Sequence, residues 1–417
     1  MKRFIVVAIA VFLLIPAISF AGSATSRWDL TLGGYVKFDM GWADQGVNAD
    51  YAIAARDSRG AYESRVAEYS SMFAAGGEGR LWWIVKGPEA WGGKTSSYVE
   101  GDFRGQTGDY GEFSLRHAFM KIEWLQDNLT IGHTWQRWGV HGPFGGWLLD
   151  YAGLGTSLKG WRQPQIMWDH MITKSFGIYA GILSPTNTIG TRDVDDFARS
   201  GYPFIEAGIK YRSDSCGRIG MNLLYGELGG FYGQERKTFQ VATQDVNGYD
   251  AYDDEMLDSW GVAAKFYVPI IPEKKVNKAG ALGVGGTAFI TQNPGWYQNI
   301  PSMYYNRNGV LDPDWAVPRQ WGGWLQLDYW FTDKFSFHGW YSHLETKLSH
   351  RLALAQTASP APWKNQQYIA NLSYDVNPAM RFGIEYSNIR TKYAGETATS
   401  DKKGTMNTFR IGAWYFF

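Results

Sequence analysis

The chain has 417 residues, with 40 lysines and arginines against 40 aspartates and glutamates, one cysteine and an aromatic content of 16%. The single cysteine excludes a disulfide-stapled scaffold, an iron–sulfur protein and a cysteine-rich zinc protein, and the balanced charge argues against a nucleic-acid-binding protein, which concentrates basic residues. The many aromatic side chains exclude a disordered chain, so their apolar surface must be buried in protein or lipid.

The first 21 residues have the pattern of a secretory signal peptide. Two basic residues, Lys2 and Arg3, precede an apolar stretch from Phe4 to Phe20, and small residues surround Ala21. A membrane-anchoring helix is the alternative, but the apolar stretch is short and ends in a site typical of cleavage. We therefore predict that residues 22–417 are exported as a single domain.

The segment from Trp28 to Trp42 alternates apolar and polar residues. Apolar side chains occupy every second position, and Lys37 and Asp39 lie among the others. Strands of soluble proteins are usually about 5–6 residues long, whereas a tilted strand that crosses a membrane needs about 9–11 residues. The length of the alternation therefore predicts a transmembrane strand, with lipid on one face and water on the other.

Similar segments recur along the chain, joined in turn by short and long connections. Asn377-Pro378 is a short turn, and Ala43 to Ala75, Gly226 to Asp258 and Thr291 to Gln320 are among the long loops. The predicted strands, which include Ile219 to Tyr225, number about 16. The predicted fold is an all-β, antiparallel, up-and-down transmembrane β-barrel with short periplasmic turns and long extracellular loops.

The last segment has the same alternation, with Phe409, Ile411, Ala413, Tyr415 and Phe417 on one face. An aromatic residue at the end of such a strand resembles the insertion signal of Gram-negative outer-membrane barrels. Tyr415 and Phe417 are the candidates for that signal. A C-terminus buried in a soluble core would instead desolvate its carboxylate.

The number of strands also predicts a water-filled interior. A sheet in lipid must close on itself, because every backbone polar group needs a partner within the protein. At about 16 strands the lumen is too wide for side chains to fill. We therefore expect a channel in the bacterial outer membrane, in contact with lipid and lipopolysaccharide.

Three consecutive segments resemble a known family. They are Tyr98-Val-Glu-Gly-Asp-Phe103, Ser114-Leu-Arg-His-Ala-Phe119 and Leu129-Thr-Ile-Gly-His-Thr-Trp135. They resemble the third to fifth strands of Gram-negative trimeric porins, and their order is closest to that of DcaP-like porins. The resemblance implies a homotrimer of 16-stranded barrels, each with a third loop that bends into its lumen.

By this resemblance, residues 137–159 are the third extracellular loop, which sets the constriction of a porin. Arg137, His141, Asp150 and Lys159 are its candidate constriction residues. Glycines in the segment permit a tight path, and its aromatic residues can brace it on the wall. An ordinary surface loop is the alternative.

Channel selectivity depends on pore diameter and on fixed charge. Strand parity predicts a set of charged residues on the pore wall: Asp29, Lys37, Asp39, Glu100, Asp102, Glu206, Lys210, Arg218, Lys265, Asp328, Arg381, Glu385 and Arg410. Parity is ambiguous around Arg116 and His117, and the resemblance adds Arg116 to the wall. Both signs occur in similar numbers, which predicts a transverse field between opposing walls and weak ion preference. For each residue the alternatives are a salt bridge within the wall and a charge at a strand end beside the lipid headgroups.

Motifs for catalysis are absent from the sequence. It has no Gly-x-Ser-x-Gly elbow, no His-Glu-x-x-His pair and no complete phosphate-binding loop, so we predict no enzyme, no cofactor and no metal. The predicted function is an outer-membrane porin, a passive diffusion channel for ions and small hydrophilic solutes. The alternative is a barrel that serves as a scaffold for adhesion or for a periplasmic electron-transfer partner, which the long loops Gly226 to Asp258 and Thr291 to Gln320 motivate.

Overall fold

The computed structural model describes residues 28–46, 54, 69–104, 111–139, 149, 162–185, 200–213, 223–242, 251–274, 277–292, 319–347, 362–393 and 403–417. The predicted signal peptide lies outside these ranges. No helix among the described residues is long and apolar enough to cross a membrane.

The described residues form strands throughout. In chain order these are β1 (Asp29–Ala43), β2 (Ser71–Ala75), β3 (Arg80–Lys86), β4 (Lys94–Asp102), β5 (Ser114–Glu123), β6 (Asp127–Trp135), β7 (Arg162–Met171), β8 (Phe176–Leu183), β9 (Phe204–Arg212), β10 (Tyr225–Ala242), β11 (Ala251–Ile271), β12 (Leu282–Gln292), β13 (Arg319–Trp330), β14 (Phe335–Thr346), β15 (Pro362–Asn377), β16 (Met380–Tyr393) and β17 (Lys403–Phe416). β2 pairs with one half of β1 and β3 with the other half. Together they form one interrupted strand, so the barrel has 16 strand positions.

The sheet closes because its first and last strands pair. β1 and β17 run antiparallel from Tyr35 opposite Phe416 to Ala43 opposite Thr408. The pairing continues to the last residue, since Phe417 N donates to Gly34 O at 3.1 Å and Gly34 N donates to Phe417 O at 3.0 Å. A closed sheet leaves no unpaired edge. The predicted closed antiparallel barrel is confirmed.

The two faces of each strand differ in the way that the alternation predicted. On β1, Leu32 and Val36 are 64% and 60% exposed on the outer surface, whereas Lys37 and Asp39 point inward and are 2% and 1% exposed. Large apolar side chains continue around the outer surface on the other strands. An apolar belt of this extent is stable in lipid and not in water.

The short connections lie at one end of the barrel and are held by their own side chains. In the turn between β13 and β14, Thr332 Oγ1 accepts a hydrogen bond from Phe335 N at 3.0 Å. Between β15 and β16, Asn377 Oδ1 accepts hydrogen bonds from Ala379 N at 2.8 Å and Met380 N at 2.9 Å. Threonine and asparagine stabilise tight turns in this way.

The hairpin of β10 and β11 is longer than the sequence predicted. The two strands have 18 and 21 residues and pair from Tyr225 opposite Tyr267 to Ala242 opposite Ala251. The prediction of a loop from Gly226 to Asp258 is therefore wrong. Of the strand predicted from Ile219 to Tyr225, residues 219–222 lie outside the described residues, and β10 begins at Tyr225. Polar residues such as Gln234 hide the alternation, but two strands that pair with each other beyond the lipid need no apolar face.

A β-bulge explains the ambiguous parity of β5. The β4–β5 register runs through Glu100 opposite His117 and then Gly101 opposite Leu115, which leaves Arg116 as an extra residue. A bulge of this kind re-aims the side chain at the inserted position. Arg116 and His117 are consequently both buried.

Candidate functional site

The inner wall of the barrel carries most of the predicted pore-wall residues. Those buried on this wall are Lys37, Asp39, Glu100, Asp102, Arg116, Glu206, Lys265, Asp328, Glu385 and Arg410. Lys210 and Arg381 are partly buried, with Arg381 bound to Asp375 through its Nε at 2.5 Å. Asp29 is exposed at the start of β1, and Arg218 lies outside the described residues. Their contribution to ion selectivity stays a prediction.

A first group of charges surrounds Lys37 on β1. Its Nζ lies 2.8 Å from Asp39 Oδ2 and also contacts the carboxylate of Glu78. Arg104 Nη1 lies 3.5 Å from the other Glu78 oxygen. Each buried charge therefore has a partner of opposite sign, which offsets the cost of removing it from water.

A second group is centred on Arg116. Its Nε lies 2.7 Å from Glu100 Oε1 and its Nη1 lies 2.6 Å from Asp102 Oδ2. Arg80 Nη1 lies 3.6 Å from Glu100 Oε1. Arg162 is close enough to interact electrostatically with Arg116 and Arg80. The group holds three guanidinium groups and two carboxylates and is therefore net positive.

A third group binds the start of the 137–159 segment. Arg137 Nη2 lies 2.5 Å from Asp169 Oδ2, and Lys210 contacts the other oxygen of the same carboxylate. Lys265 Nζ lies 2.9 Å from Glu227 Oε1 and also donates to the carbonyl oxygen of Arg137. Side chains of β7, β9 and β11 thus hold Arg137 against the wall.

The wall formed by β13, β14 and β15 is almost neutral. Its inward polar side chains are mostly amides and hydroxyls, including Gln320, Gln326, Ser342, Asn365, Gln367 and Asn371, and they lie among the buried apolar side chains Trp324, Trp340, Leu344 and Ile369. Asp328 is one charged exception; it lies 2.6 Å from His338 Nδ1, while His338 Nε2 lies 2.9 Å from Ser336 Oγ. The three side chains are bonded in the order of a hydrolase triad, but strands on both sides pair with this part of β14, so its backbone N–H groups are not available as an oxyanion hole.

Among the residues that the structure describes, the charges are not separated into opposing acidic and basic walls. Acids and bases alternate within each of the three groups, and the neutral wall lies apart from them. The predicted transverse field is therefore wrong in its arrangement. Strand parity finds which residues face inward, but it carries no information on which neighbours they bind.

Described residues of the 137–159 segment contact two separate arcs of the wall. Trp138 packs on Phe231 of β10, with ring centroids 4.6 Å apart. Leu149 instead lies between β1 and β16: its N–H donates to Glu385 Oε2 at 2.7 Å, and its carbonyl accepts from Lys37 Nζ at 2.7 Å. His141, Asp150 and Lys159, three of the candidate constriction residues, lie outside the described residues.

Several lumen residues were missed by the sequence interpretation. Glu78 and Arg104 lie beside strands and not in them, so no alternation marks them. Asp169 and Glu227 share the inward parity of their strands and could have been found by extending the same count to β7 and β10. Among the described residues, no group of three or more His, Cys, Asp or Glu side chains could hold a metal ion.

A closed antiparallel barrel with a charged inner wall and an apolar belt defines the chain as a transmembrane β-barrel. No protein-family model matches it, and no curated protein matches its sequence. Among solved structures it is similar to the outer-membrane channel DcaP of Acinetobacter baumannii, with a TM-score of 0.67 and 18% identity over 94% of this chain and 99% of that chain.

Two further solved structures have the same fold. The anion-selective porin from Comamonas acidovorans gives a TM-score of 0.54 at 13% identity, covering 93% of this chain and 99% of that one. The trimer form of OmpT from Vibrio cholerae gives 0.51 at 13% identity, with the same coverage. The resemblance to DcaP-like porins that the sequence indicated is confirmed at the level of the fold.

Proposed function

We propose that the chain is an outer-membrane porin, a passive diffusion channel for ions and small hydrophilic solutes. The observation that carries this proposal is a closed barrel of 16 strand positions with charged groups inside and an apolar belt outside. A barrel of this size encloses more space than its wall side chains fill. The similarity to DcaP and to an anion-selective porin supports the proposal. No enzymatic activity is part of it.

The constriction belongs, in this proposal, to the 137–159 segment. The wall contacts of Arg137 and Leu149 support it, because they lie on different arcs of the barrel interior. Pore size would be set by the path of the segment between those contacts. Selectivity would come from the charge groups around Lys37, Arg116 and Asp169.

We further propose assembly as a homotrimer through the outer face of β4, β5 and β6. There the positions of outward parity hold small or polar side chains: Ser97 pairs with the exposed Met120, and Ala118 pairs with His133. Small residues allow close approach of another protein surface in a membrane. The trimer form of OmpT, which has the same fold, supports this assembly.

Reconstitution of the purified protein in planar lipid bilayers tests the function. We expect discrete conductance steps and swelling of liposomes in solutions of small uncharged solutes. Protein denatured by heat before addition is the control and should give neither. A folded, pure preparation without conductance steps would overturn the proposal, and a co-purifying electron-transfer protein would then favour the scaffold alternative.

A further inference from the structure

The outer surface of the barrel carries a row of basic side chains where β13 to β17 reach the end with the long connections. We propose that this basic row and an apolar groove beneath it form a binding site for a phosphate-bearing, acylated lipid of the outer leaflet, lipopolysaccharide. The site lies on the lipid-facing surface and not in the lumen, so it is independent of the proposed channel. It is also separate from the outer face of β4, β5 and β6 that we propose for the trimer.

Three lysines of neighbouring strands lie side by side in the basic row. Lys364 on β15 pairs with Lys392 on β16, which pairs with Lys403 on β17. All three share the outward parity of their strands, and Lys392 and Lys403 are exposed. Like charges directly opposite each other on a sheet repel. The arrangement is therefore unfavourable unless an anion lies against it.

Further bases extend the positive surface on both sides of these lysines. Arg390 is exposed on the same face of β16, two residues from Lys392. Arg319 and Lys347 are exposed at the ends of β13 and β14, where Lys347 N donates to Arg319 O at 2.8 Å. The basic row thus continues across five strands.

One acidic side chain, Glu345 of β14, lies in the same row. Its Oε2 lies 2.8 Å from Lys364 Nζ. Within the part of the chain that the structure describes, Lys392 and Lys403 have no carboxylate within ion-pair distance. A single carboxylate does not balance the surrounding bases, so this surface is strongly positive. Basic clusters at a membrane surface bind the phosphate groups of lipids.

A band of tyrosines and amides lies directly below the basic row. Tyr341 pairs with Tyr368, which pairs with Asn388 and through it with Asn407. Arg390 Nε donates to Asn388 Oδ1 at 2.8 Å, and its guanidinium carbon lies 5.2 Å from the ring centroid of Tyr368. Tyrosines are enriched at the boundary between hydrocarbon and headgroups. The basic row above them is therefore at the level of the headgroups.

An apolar groove of about 560 Å³ follows below the band. Its outward-facing lining includes Trp42, Ala370, Tyr386 and Phe409. Tyr386 is six residues from Lys392, which is about 20 Å along a strand and, for a strand tilted by about 40°, about 15 Å in depth. This depth lies in the outer half of a hydrocarbon core about 30 Å thick. The groove can therefore hold an acyl chain of a lipid whose phosphates contact the lysines.

The two parts of the site together define the ligand. A free phosphate would use the lysines and leave the groove empty, whereas a neutral lipid would use the groove and leave the lysines repelling one another. An acidic protein would not reach a groove that lies within the hydrocarbon core. A lipid with phosphate groups above its acyl chains complements both parts in charge and in polarity.

Lipid binding by the purified protein tests the basic row. Protein refolded in neutral detergent is titrated, in the presence of EDTA, with lipopolysaccharide that lacks O-antigen, and the bound fraction is measured by native mass spectrometry. Lys392→Gln combined with Lys403→Gln should weaken binding about 25-fold, at roughly fivefold for each lysine beside an anionic surface. Lys86→Gln combined with Lys94→Gln removes two exposed lysines from the opposite end of the barrel and should bind as the wild type does. Equal affinities of the two double variants would overturn the proposal.

Two single variants test the two parts separately. Glu345→Gln removes the acidic side chain of the row and should strengthen binding roughly fivefold, a direction that damage to the fold would not produce. Ala370→Trp fills the groove and should weaken binding, whereas Ala180→Trp, on the outer face of β8, should not. Heat-modifiable migration on gels verifies that each barrel is folded. Weaker binding by Glu345→Gln, or unchanged binding by folded Ala370→Trp, would contradict the site.

Competition identifies the ligand. Inorganic phosphate and phosphatidylethanolamine should not displace bound lipopolysaccharide, because each complements only one part of the site. Lipopolysaccharide from which the phosphates have been removed should bind the wild type as weakly as intact lipopolysaccharide binds Lys392→Gln/Lys403→Gln. Displacement by inorganic phosphate alone would overturn the assignment to a lipid. Absence of conductance steps would contradict the channel and leave these binding results unaffected.

Discussion

One inserted residue, Arg116 in the bulge of β5, adds a positive charge to the inner wall of the barrel. The bulge in β5 turns its guanidinium inward, between the carboxylates of Glu100 and Asp102. In a regular strand, Arg116 and His117 would point to opposite faces. The arginine would then lie on the outer surface, where a charge in lipid is unfavourable.

Replacement of this arginine should alter ion preference. Arg116→Gln removes one positive charge from a group of three arginines and two carboxylates, so the reversal potential in a salt gradient should shift toward cations. The unpaired carboxylates should also lower the free energy of unfolding by about 1–3 kcal/mol. Arg390→Gln removes the same charge from the outer surface, where Arg390 is bound to Asn388 at 2.8 Å, and is the control. Equal reversal potentials for the two variants would contradict the assignment.

At the residue scale, the sequence predicted which side chains point inward better than it predicted which residues they contact. Lys37, Asp39 and Glu385 follow the two-residue period of a strand, and the structure has them on the inner wall. The partners Glu78 and Leu149 could not be predicted, because they reach the lumen from outside the regular strands. Contacts between segments distant in sequence depend on the whole fold.

At the scale of elements, the closure of β1 on β17 is the step that removes the edges of the sheet. The backbone bonds between Gly34 and Phe417 are its final pair, and the ring of Phe417 lies over Gly34, 2.6 Å from where a Cβ would be. The last residue thus contributes to the seam through both backbone and side chain. The proposed role of Phe417 in membrane insertion can be tested separately from its role in closing the barrel.

Deletion of Phe417 should impair closure more than Phe417→Ala does. Deletion removes two backbone hydrogen bonds, each worth about 0.5–1.5 kcal/mol, whereas the alanine variant keeps them. We expect a lower folded fraction for the deletion after refolding into lipid vesicles, measured by heat-modifiable migration. If Phe417 is also part of the insertion signal, Phe417→Ala should refold normally in vitro but reach the outer membrane in smaller amounts. Identical behaviour of the deletion and the wild type would rule out both contributions.

Element boundaries were predictable where lipid imposes alternation and not beyond it. β1 has an apolar outer face along its length, and its predicted limits, Trp28 to Trp42, agree with the structure to within one residue at each end. The sequence of the upper parts of β10 and β11 has no regular alternation of apolar and polar residues, and these parts were predicted as a loop. Pairing with a neighbouring strand is enough to hold them extended, and such pairing leaves no periodic pattern in the sequence.

For the whole molecule, the count of strand positions was the most secure prediction. An up-and-down barrel with all short turns at one end requires an even number, so one missed strand would have broken the pattern. The interruption between β2 and β3 does not change this number, because both segments pair with β1. The assembly of barrels, in contrast, depends on surfaces that the count does not describe.

The proposed trimer face can be tested by one bulky substitution. Ala118→Trp adds a large side chain to the outer face of β5, so it should shift the protein from trimer to monomer in light scattering. Ala180→Trp makes the same change on β8, beside the exposed Ile182, where lipid accommodates it. It should leave the oligomer unchanged. A trimer that persists in Ala118→Trp and dissociates in Ala180→Trp would move the interface to the other side of the barrel.

The mixed sign of the charge groups has a consequence for transport. The fields of neighbouring opposite charges cancel over a distance comparable to their separation, and salt screens what remains beyond about 8–10 Å. In the proposed channel, a small ion on the axis would therefore experience mainly the net charge of each group, such as the positive group around Arg116. A solute wide enough to reach the wall would contact individual guanidinium and carboxylate groups in succession. The selectivity of the proposed channel should therefore increase with the width of the solute. Zwitterions and molecules with several polar groups should be distinguished from one another more strongly than simple salts are.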